Sequence, residues 1–241
     1  MVAANRDEFI ARPTASLDFI DGQKTVLAGK DLKGGGTWLG ITAQLRFAAI
    51  TNYRDPAANR TDVPSRGEIL MNYLAGKRDA AGYIRHIAEQ GDRYSGFNLV
   101  LGDGESLYYY SNRSAGPQKL APGFYGLSNS LLDVPWPKVV RGKALLYPWM
   151  VESKRVDVAR ILELLEDKDQ PPDEQLPATG IGIVWERLLS TICIDSAEYG
   201  TRSSAVITVS DKGVIEFVEK TRQGTPASAG RSTVVRRSMN C

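Results

Sequence analysis

The sequence is poor in the residues that bind metals and form disulfides. Its 241 residues contain one histidine, His86, and two cysteines, Cys193 and Cys241. A single histidine excludes centres built from two or more histidines, and two distant cysteines exclude a disulfide framework. We therefore expect neither a metal ion nor a cofactor. His86 lies in a stretch typical of a helix, where a surface role is favoured over a catalytic one.

Long apolar runs and a marked charge excess are also lacking. No run approaches the roughly 20 apolar residues of a membrane span, and the N-terminus lacks the charged and then apolar pattern of a signal peptide. We therefore expect a cytoplasmic protein without a membrane span. The net charge is +2, and residues 221–241 hold four arginines and no acid, which leaves 26 basic and 28 acidic residues elsewhere. This balance argues against a nucleic-acid partner.

The length fits one large domain. We predict a single domain over residues 1–220 and a flexible basic tail over 221–241, where glycine, proline, serine and threonine are concentrated. The proline-rich stretch from Asp167 to Gly180 is predicted to be a loop within the domain, because the strands that follow it need partners.

Three pairs of strand-like segments predict β-hairpins. The first pair, GTWLGIT and RFAAIT, is joined by Ala43–Leu45. In the second, FNLVLG and SLYYYS flank Asp103-Gly104, a strong signal for a two-residue turn because glycine tolerates positive φ. The third pair, SAVITVS and VIEFVEK, flanks Asp211–Gly213.

Pairs of helical stretches separate these hairpins. Residues 66–74 and 81–90 lie between the first and second hairpins, and residues 138–150 and 156–167 lie between the second and third. The last stretch repeats apolar residues at helical spacing. Hairpins separated by helix pairs do not form βαβ crossovers. They predict an α+β domain in which helices pack outside antiparallel sheets.

Asp7 and Glu8 are adjacent acids and suggest a catalytic pair. Neighbouring side chains of an extended chain point to opposite faces, so the two carboxylates are not expected to share a site. One of them can face a cleft while the other is solvated or paired.

The segment around these acids carries a family resemblance. Ala3-Ala4-Asn5-Arg6-Asp7-Glu8-Phe9 resembles the signature of the NRDE family, which includes the transport and Golgi organisation protein 2 homologues. Further segments resemble the family in the same order, over residues 1 to about 220: GGTWLGI (35–41), AITNY (49–53), SRGE (65–68), GFNL (96–99), YGLSN (125–129) and EYGTR (198–202).

The resemblance implies an αββα sandwich of antiparallel sheets like that of the N-terminal nucleophile hydrolases. In the cysteine branch of that fold, the thiol of an N-terminal cysteine attacks an amide carbonyl, and the α-amine of the same residue acts as the base. An α-amine has an ordinary pKa of about 7.7–8, so it accepts a proton near neutral pH without help from histidine. A chain with one histidine suits this chemistry.

Four catalytic positions follow from the resemblance. Asp7 matches the acid that holds the nucleophile's amine, and Asn52 matches the oxyanion-hole donor. Asn129 matches the residue that orients substrate and amine, and Arg202 the arginine that organises the site. Substrate contacts are assigned to Asn5, Arg6, Trp38 and Tyr53. From the residues alone, the two catalytic asparagines can equally be turn or capping residues, and Arg202 a structural ion-pair partner.

The start of the chain departs from the family pattern. The family begins with Met-Cys and a strand, whereas this chain begins Met1-Val2-Ala3, so we expect that strand and its cysteine to be missing. Cys193 is predicted to be a small buried residue of a strand. We expect an amide (C–N) hydrolase scaffold that is inactive as written, with a small-molecule amide as its ligand. The alternative is a protein that binds a hydrophobic ligand such as a lipid, acyl-CoA or haem. An unpaired sheet edge would favour a homo-oligomer.

Overall fold

The computed structural model describes residues 1–22, 24–58, 60, 62–152, 156–222 and 232–241. Its strands are β1 (Val2–Phe9), β2 (Thr14–Phe19), β3 (Val26–Asp31), β4 (Leu39–Thr42), β5 (Phe47–Asn52), β6 (Phe97–Gly102), β7 (Leu107–Ser111), β8 (Gln118–Leu120), β9 (Tyr199–Val209), β10 (Val214–Arg222) and β11 (Ser232–Asn240). Its α-helices are α1 (Gly67–Leu74), α2 (Ala80–Ala88), α3 (Pro137–Glu152), α4 (Val158–Leu164) and α5 (Ile183–Leu189).

The chain divides into two compact units. The first unit consists of Met1–Arg12, Phe124–Gly126 and Asp133–Met239. The second consists of Pro13–Gly123, Leu127–Leu132 and Asn240–Cys241. The single domain over residues 1–220 stays a prediction.

The first unit contains a four-stranded sheet in the order β1-β9-β10-β11. Both β1 and β10 pair with β9 in antiparallel register. The apolar face of α4 packs against this sheet, and the predicted helical spacing places its buried side chains together. The core of this unit contains Val158, Ile161, Leu162, Leu165, Val206 and Val218.

The second unit contains a seven-stranded sheet in which the strands follow chain order from β2 to β8. Helix α1 packs on β4 and β5, and α2 packs on β6 and β7. Burial of one face of each helix against the sheet supplies the main stabilisation. Tyr73, fully buried on α1, also donates a 2.7 Å hydrogen bond to the main-chain oxygen of Gly102.

The predicted α+β class with antiparallel sheets and packed helices is confirmed. All three predicted hairpins form, as β4–β5, β6–β7 and β9–β10. Gly104 (φ +91°) and Gly213 (φ +74°) adopt the positive φ that the second and third turns require. Strands β2, β3 and β8 and helix α5 were not predicted from the sequence. None of the described helices combines the length and the apolar character needed to cross a membrane.

Both ends of the chain form strands. β1 begins at Val2 and contains the Asn-Arg-Asp-Glu motif, because its backbone pairs along β9. The absence of the family's Cys-initiated strand stays a prediction. Where a flexible tail is predicted, β10 continues to Arg222 and residues 232–240 form β11 at the sheet edge. The alternating exposure of β11 is that of an edge strand with one covered face. Residues 223–231 of the predicted tail lie outside the described residues.

Two glycines of the segments that resemble the family, Gly36 and Gly67, lie where two stretches of backbone approach each other closely. A Cβ built on Gly36 would lie 2.4 Å from the carbonyl carbon of Gly67, at the start of α1. We expect Gly36→Ala to lower the free energy of unfolding by about 2–3 kcal/mol, because main chain cannot give way as a flexible side chain does. Urea unfolding measures this. Gly22→Ala, with nothing within 4 Å of its Cβ, is the control, and equal stability of the two variants would contradict the expectation.

Candidate functional site

Asp7 is a largely buried carboxylate held in one orientation. It lies near the end of β1, where the register with β9 shifts. Its Oδ1 accepts a 2.6 Å hydrogen bond from the Thr201 hydroxyl, and its Oδ2 lies 3.8 Å from Lys138 Nζ. The side chains of Asp7 and Lys138 are 17% and 11% exposed. The hydroxyl of Tyr199 donates to the Asp7 main-chain oxygen over 3.2 Å. This carboxylate therefore already faces an ammonium group, the kind of cation it is expected to hold.

Glu8 has a separate set of partners, as the alternation of an extended chain predicts. Its Oε2 lies 3.8 Å from the Arg6 guanidinium and 3.5 Å from that of Arg12. Arg6, assigned to substrate contact, is only 8% exposed and takes part in this ion pair. The two acids of the motif therefore have different interaction partners.

Asn5, also assigned to substrate contact, makes three hydrogen bonds within the first unit. Its Nδ2 donates to the main-chain oxygens of Leu165 and Ile192, each over 2.8 Å. Its Oδ1 accepts a 2.7 Å hydrogen bond from the Ser204 hydroxyl. The side chain thus joins β1 to the end of α4, to the loop before β9 and to β9 itself, and its contact with substrate stays a prediction.

An ion-pair network continues from Ser204. Arg222 donates to the Ser204 hydroxyl over 3.2 Å and to Glu166 Oε1 over 3.2 Å, and Lys220 Nζ lies 2.5 Å from the same carboxylate oxygen. Burial acts to raise the pKa of Glu166, but the hydrogen bonds and charges of Lys220 and Arg222 outweigh it and hold that pKa below its ordinary value. The network ties β10 to Glu166, two residues after the end of α4.

Arg202 has a main-chain partner. One of its terminal nitrogens donates to the Ile10 main-chain oxygen over 2.8 Å. Asp7 pairs with Thr201 rather than with Arg202 in the strand register, and among the described contacts none joins Arg202 to Asp7. This contact is a main-chain hydrogen bond rather than the ion pair left open for this arginine, and its role in the site stays a prediction.

Cys193 is buried, as expected, but it lies in a bend rather than in a strand. Its main-chain nitrogen donates to the Asp167 oxygen over 2.8 Å, and its main-chain oxygen accepts from the Thr191 hydroxyl over 2.9 Å, which leaves no ladder of strand bonds. The side chain is 3% exposed, and burial raises the pKa of its thiol. A buried thiol with a raised pKa is a poor nucleophile.

Asn52 and Asn129 lie together in the second unit. Asn129 Nδ2 donates to the Asn52 main-chain oxygen over 2.9 Å, and the Arg54 main-chain nitrogen donates to the Asn129 main-chain oxygen over 2.7 Å. Asn129 therefore fixes the end of β5, as a turn residue would. The Asn52 side chain is exposed, and its amide makes no hydrogen bond within the described residues. Both N–H groups of the Asn52 amide can therefore donate to a ligand.

A buried polar network, missed by the sequence analysis, holds the segment that carries Asn129. Asn98 on β6 is fully buried. Its Nδ2 donates to Thr51 Oγ1 over 3.1 Å and to the Ser130 main-chain oxygen over 2.9 Å. Its Oδ1 accepts a 2.8 Å hydrogen bond from Tyr109, whose hydroxyl accepts from the Leu132 nitrogen over 3.1 Å. Burial raises the pKa of Tyr109, so the phenol stays a donor near neutral pH. An asparagine inside the apolar run FNLVLG was the available signal.

The remaining assigned residues, Trp38 and Tyr53, lie in the second unit and are half-buried. The Trp38 ring covers Gly29 on β3, where a Cβ would lie 2.4 Å from a ring carbon. The Tyr53 main-chain nitrogen donates to the Gly96 oxygen over 2.9 Å. Trp38 therefore packs against a glycine of β3 and Tyr53 against the glycine just before β6, and their substrate contacts stay predictions.

The sites thus fall into two sets. Asn5, Arg6, Asp7 and Arg202 belong to the first unit, whereas Trp38, Asn52, Tyr53 and Asn129 belong to the second. Within the described ranges, no group of three or more His, Cys, Asp and Glu side chains is placed to hold a metal ion. His86 lies on α2, with its ring nitrogens 3.2 and 3.4 Å from Gln90 Nε2.

Together, the fold and the candidate site residues define an α+β protein with two antiparallel sheets that carries an Asn-Arg-Asp-Glu motif on a strand of one sheet. The family model described as "Transport and Golgi organisation 2" matches residues 1–224, and the chain belongs to that family. The "Transport and Golgi organization protein 2 homolog" of Bos taurus is 37% identical over 97% of this chain and 90% of its own length. The Homo sapiens homologue is 36% identical over 91% of this chain and 85% of its own length. The Drosophila melanogaster protein is 29% identical over 93% of this chain and 86% of its own length.

Proposed function

We propose that the first unit is an amide (C–N) hydrolase scaffold in which Asp7 holds the α-amine of a cysteine nucleophile. The observation that carries the proposal is the pairing of Asp7 with Lys138, whose ammonium nitrogen lies 3.8 Å from the carboxylate in largely buried surroundings. A carboxylate that accommodates one ammonium group can accommodate another. The Thr201 hydroxyl fixes the other carboxylate oxygen, which orients the group.

The position of β1 gives the nucleophile a route to Asp7. β1 is an edge strand of its sheet, so its outer side can pair with one further strand. A strand that precedes Val2 and runs antiparallel to β1 would begin beside the far end of β1, where Asp7 lies. Val2 itself is about 17 Å from Asp7, at about 3.3 Å per residue. A cysteine at the start of such an added strand would place its amine near the carboxylate.

The proposed reaction needs no histidine. The thiol loses its proton to the α-amine, and the thiolate sulfur attacks the amide carbonyl carbon. The C–N bond breaks, the protonated amine returns the proton to the leaving nitrogen, and a thioester remains. Water then hydrolyses the thioester and regenerates the thiol. Donation by the Asn52 amide to the developing oxyanion, and orientation of substrate by Asn129, stay predictions of the family resemblance.

A second candidate function is the binding of a hydrophobic ligand such as a lipid, acyl-CoA or haem. The aromatic rings of Phe9 and Trp185 both contact Tyr199 edge to face, at centroid distances of 5.1 and 6.1 Å. Phe9 is 54% exposed and Trp185 is 41% exposed. Exposed aromatic rings next to the main chain of Asp7 favour an apolar ligand at this surface. The cytoplasmic location and self-association also stay predictions.

One experiment separates the two functions. The chain would be assayed against a panel of N-acyl and γ-glutamyl amides beside a form that carries a Cys-initiated strand before Val2. We expect turnover by the extended form alone, because a site without a nucleophile retains only a small part of its rate enhancement. Equal turnover by the two forms would contradict the hydrolase proposal. Ligand binding would be favoured by two results together. Neither form turns over an amide, and a fatty acid quenches the tryptophan fluorescence of the chain but not that of Trp185→Ala.

A further inference from the structure

A polar groove lies between α1 and α2 of the second unit, away from every residue assigned to the hydrolase site. Its volume is about 420 Å³. Small-molecule sites fall in the range of about 300–1,000 Å³. The groove therefore has room for a small organic molecule rather than for a single inorganic ion.

Three cationic side chains line this groove: Lys77, Arg78 and Arg93. All three are exposed, and within the described part of the chain none of them forms an ion pair with a carboxylate. Glu68 is the one carboxylate among the lining residues. The lining thus carries an excess of two positive charges, although the chain outside residues 221–241 has two more acidic than basic residues.

Side-chain contacts preorganise the groove. The Arg93 guanidinium donates to Gln90 Oε1 over 2.7 Å, and Gln90 Nε2 lies beside the His86 ring. The Tyr94 hydroxyl donates to Glu68 Oε1 over 2.8 Å. Burial, reinforced by Glu68, raises the pKa of Tyr94 to about 12, so the phenol keeps its proton and the carboxylate keeps its donor.

We propose that this groove binds a hydroxylated phosphate monoester of the size of a sugar phosphate. A phosphate monoester carries about −1.5 to −2 charges at neutral pH, which matches the excess of two positive charges, whereas a monocarboxylate would leave one cation uncompensated. Arginine guanidinium groups bind phosphate oxygens through paired N–H donors. Glu68, with one oxygen engaged by Tyr94, accepts a hydrogen bond from a ligand hydroxyl through the other.

The organic part of the ligand has an apolar surface to lie on. Tyr83 and Ile87 line the groove and are 8% and 5% exposed, so they form its floor rather than its rim. The cationic side chains lie at the rim, where the phosphate stays partly solvated. A sugar ring with its hydroxyls toward Glu68 and its phosphate toward Arg78 and Arg93 satisfies each part of this lining.

Calorimetric titration with glucose 6-phosphate, glucose and inorganic phosphate tests the proposal. We expect glucose 6-phosphate to bind at least about tenfold more tightly than either of the others, because only it engages both the cations and Glu68. The double variant Arg78→Gln/Arg93→Gln is expected to weaken its binding by at least about tenfold. Glu68→Gln is expected to reduce the difference in affinity between glucose 6-phosphate and inorganic phosphate.

Arg85→Gln is the matched control. Arg85 is an exposed arginine of the same helix α2 but does not line the groove. We expect it to leave binding unchanged, and thermal unfolding verifies that all variants remain folded. No binding of glucose 6-phosphate up to about 10 mM, or equal losses in the double variant and in Arg85→Gln, would overturn the proposal. Inorganic phosphate that binds as tightly as glucose 6-phosphate would overturn the assignment of a hydroxylated ligand.

Discussion

Asp7→Asn is expected to lower kcat/KM of the Cys-extended chain by up to about 10⁴-fold, the loss in kcat found when the orienting carboxylate of a serine protease triad is replaced by its amide. The asparagine side chain has the same shape, and its carbonyl oxygen can still accept the hydrogen bond from Thr201. What is lost is the negative charge that the proposal uses to hold the α-amine. The measurement is steady-state hydrolysis of the best amide in the panel, with thermal unfolding as the test of folding.

Glu8→Gln is the control for that substitution. It removes one charge from the adjacent residue of the same strand, but Glu8 contacts Arg6 and Arg12 rather than the surroundings of Asp7. We expect less than about a threefold change in kcat/KM for Glu8→Gln, since a partly exposed ion pair contributes little. Similar activities of the two variants would remove Asp7 from the proposed site.

Asn98→Leu is expected to lower the free energy of unfolding by about 3–5 kcal/mol. The substitution keeps the size of the side chain but removes two donors and one acceptor from a fully buried position. The Tyr109 hydroxyl and the Ser130 main-chain oxygen would lose their partners, and each unsatisfied buried group costs about 1–3 kcal/mol. Chemical denaturation measures the change, and hydrogen exchange over residues 127–132 locates it.

Two further variants distinguish loss of the network from a general effect of the substitution. Asn72→Leu changes an exposed asparagine on α1 and is expected to cost less than about 1 kcal/mol. Tyr109→Phe in the Asn98→Leu background removes the hydroxyl left without an acceptor, so the double variant is expected to be less unstable than the sum of the single variants. Strict additivity, or equal stability of Asn98→Leu and Asn72→Leu, would contradict this account.

The sequence predicted those parts of the fold that carry strong local signals. The β6–β7 hairpin follows from Asp103-Gly104 between two apolar segments, and α4 follows from its apolar spacing. β2 was missed because the residues between its ends mix apolar and acidic side chains. Cys193 was misplaced in a strand because apolar alternation in TICIDS resembles one. Its main-chain nitrogen instead donates to the distant Asp167 oxygen, and its main-chain oxygen accepts from the nearby Thr191 hydroxyl, in a bend of the chain.

Fewer features of the candidate site than of the fold could be predicted from the sequence. Alternation along an extended chain correctly separated Asp7 from Glu8, since it depends only on neighbouring residues. The partners of Asp7 lie 131 and 194 residues away, at Lys138 and Thr201, and no local pattern encodes such contacts. Asn5 lies beside Asp7 in the motif, yet its amide holds the main chain of two distant segments. Motif membership alone could not assign that role.

The pairing of β1 with β9 constrains how the protein is made. Val2 is registered with Ile207 and Asp7 with Thr201, so the two strands are separated by about two hundred residues of chain. At about 5–20 residues per second, β1 leaves the ribosome roughly 10–40 s before its partner has been synthesised. The strands of the second unit pair with their sequence neighbours and need no such delay. The nascent chain therefore carries the Asn-Arg-Asp-Glu strand without its partner β9 through most of translation, and chaperones have long access to this segment.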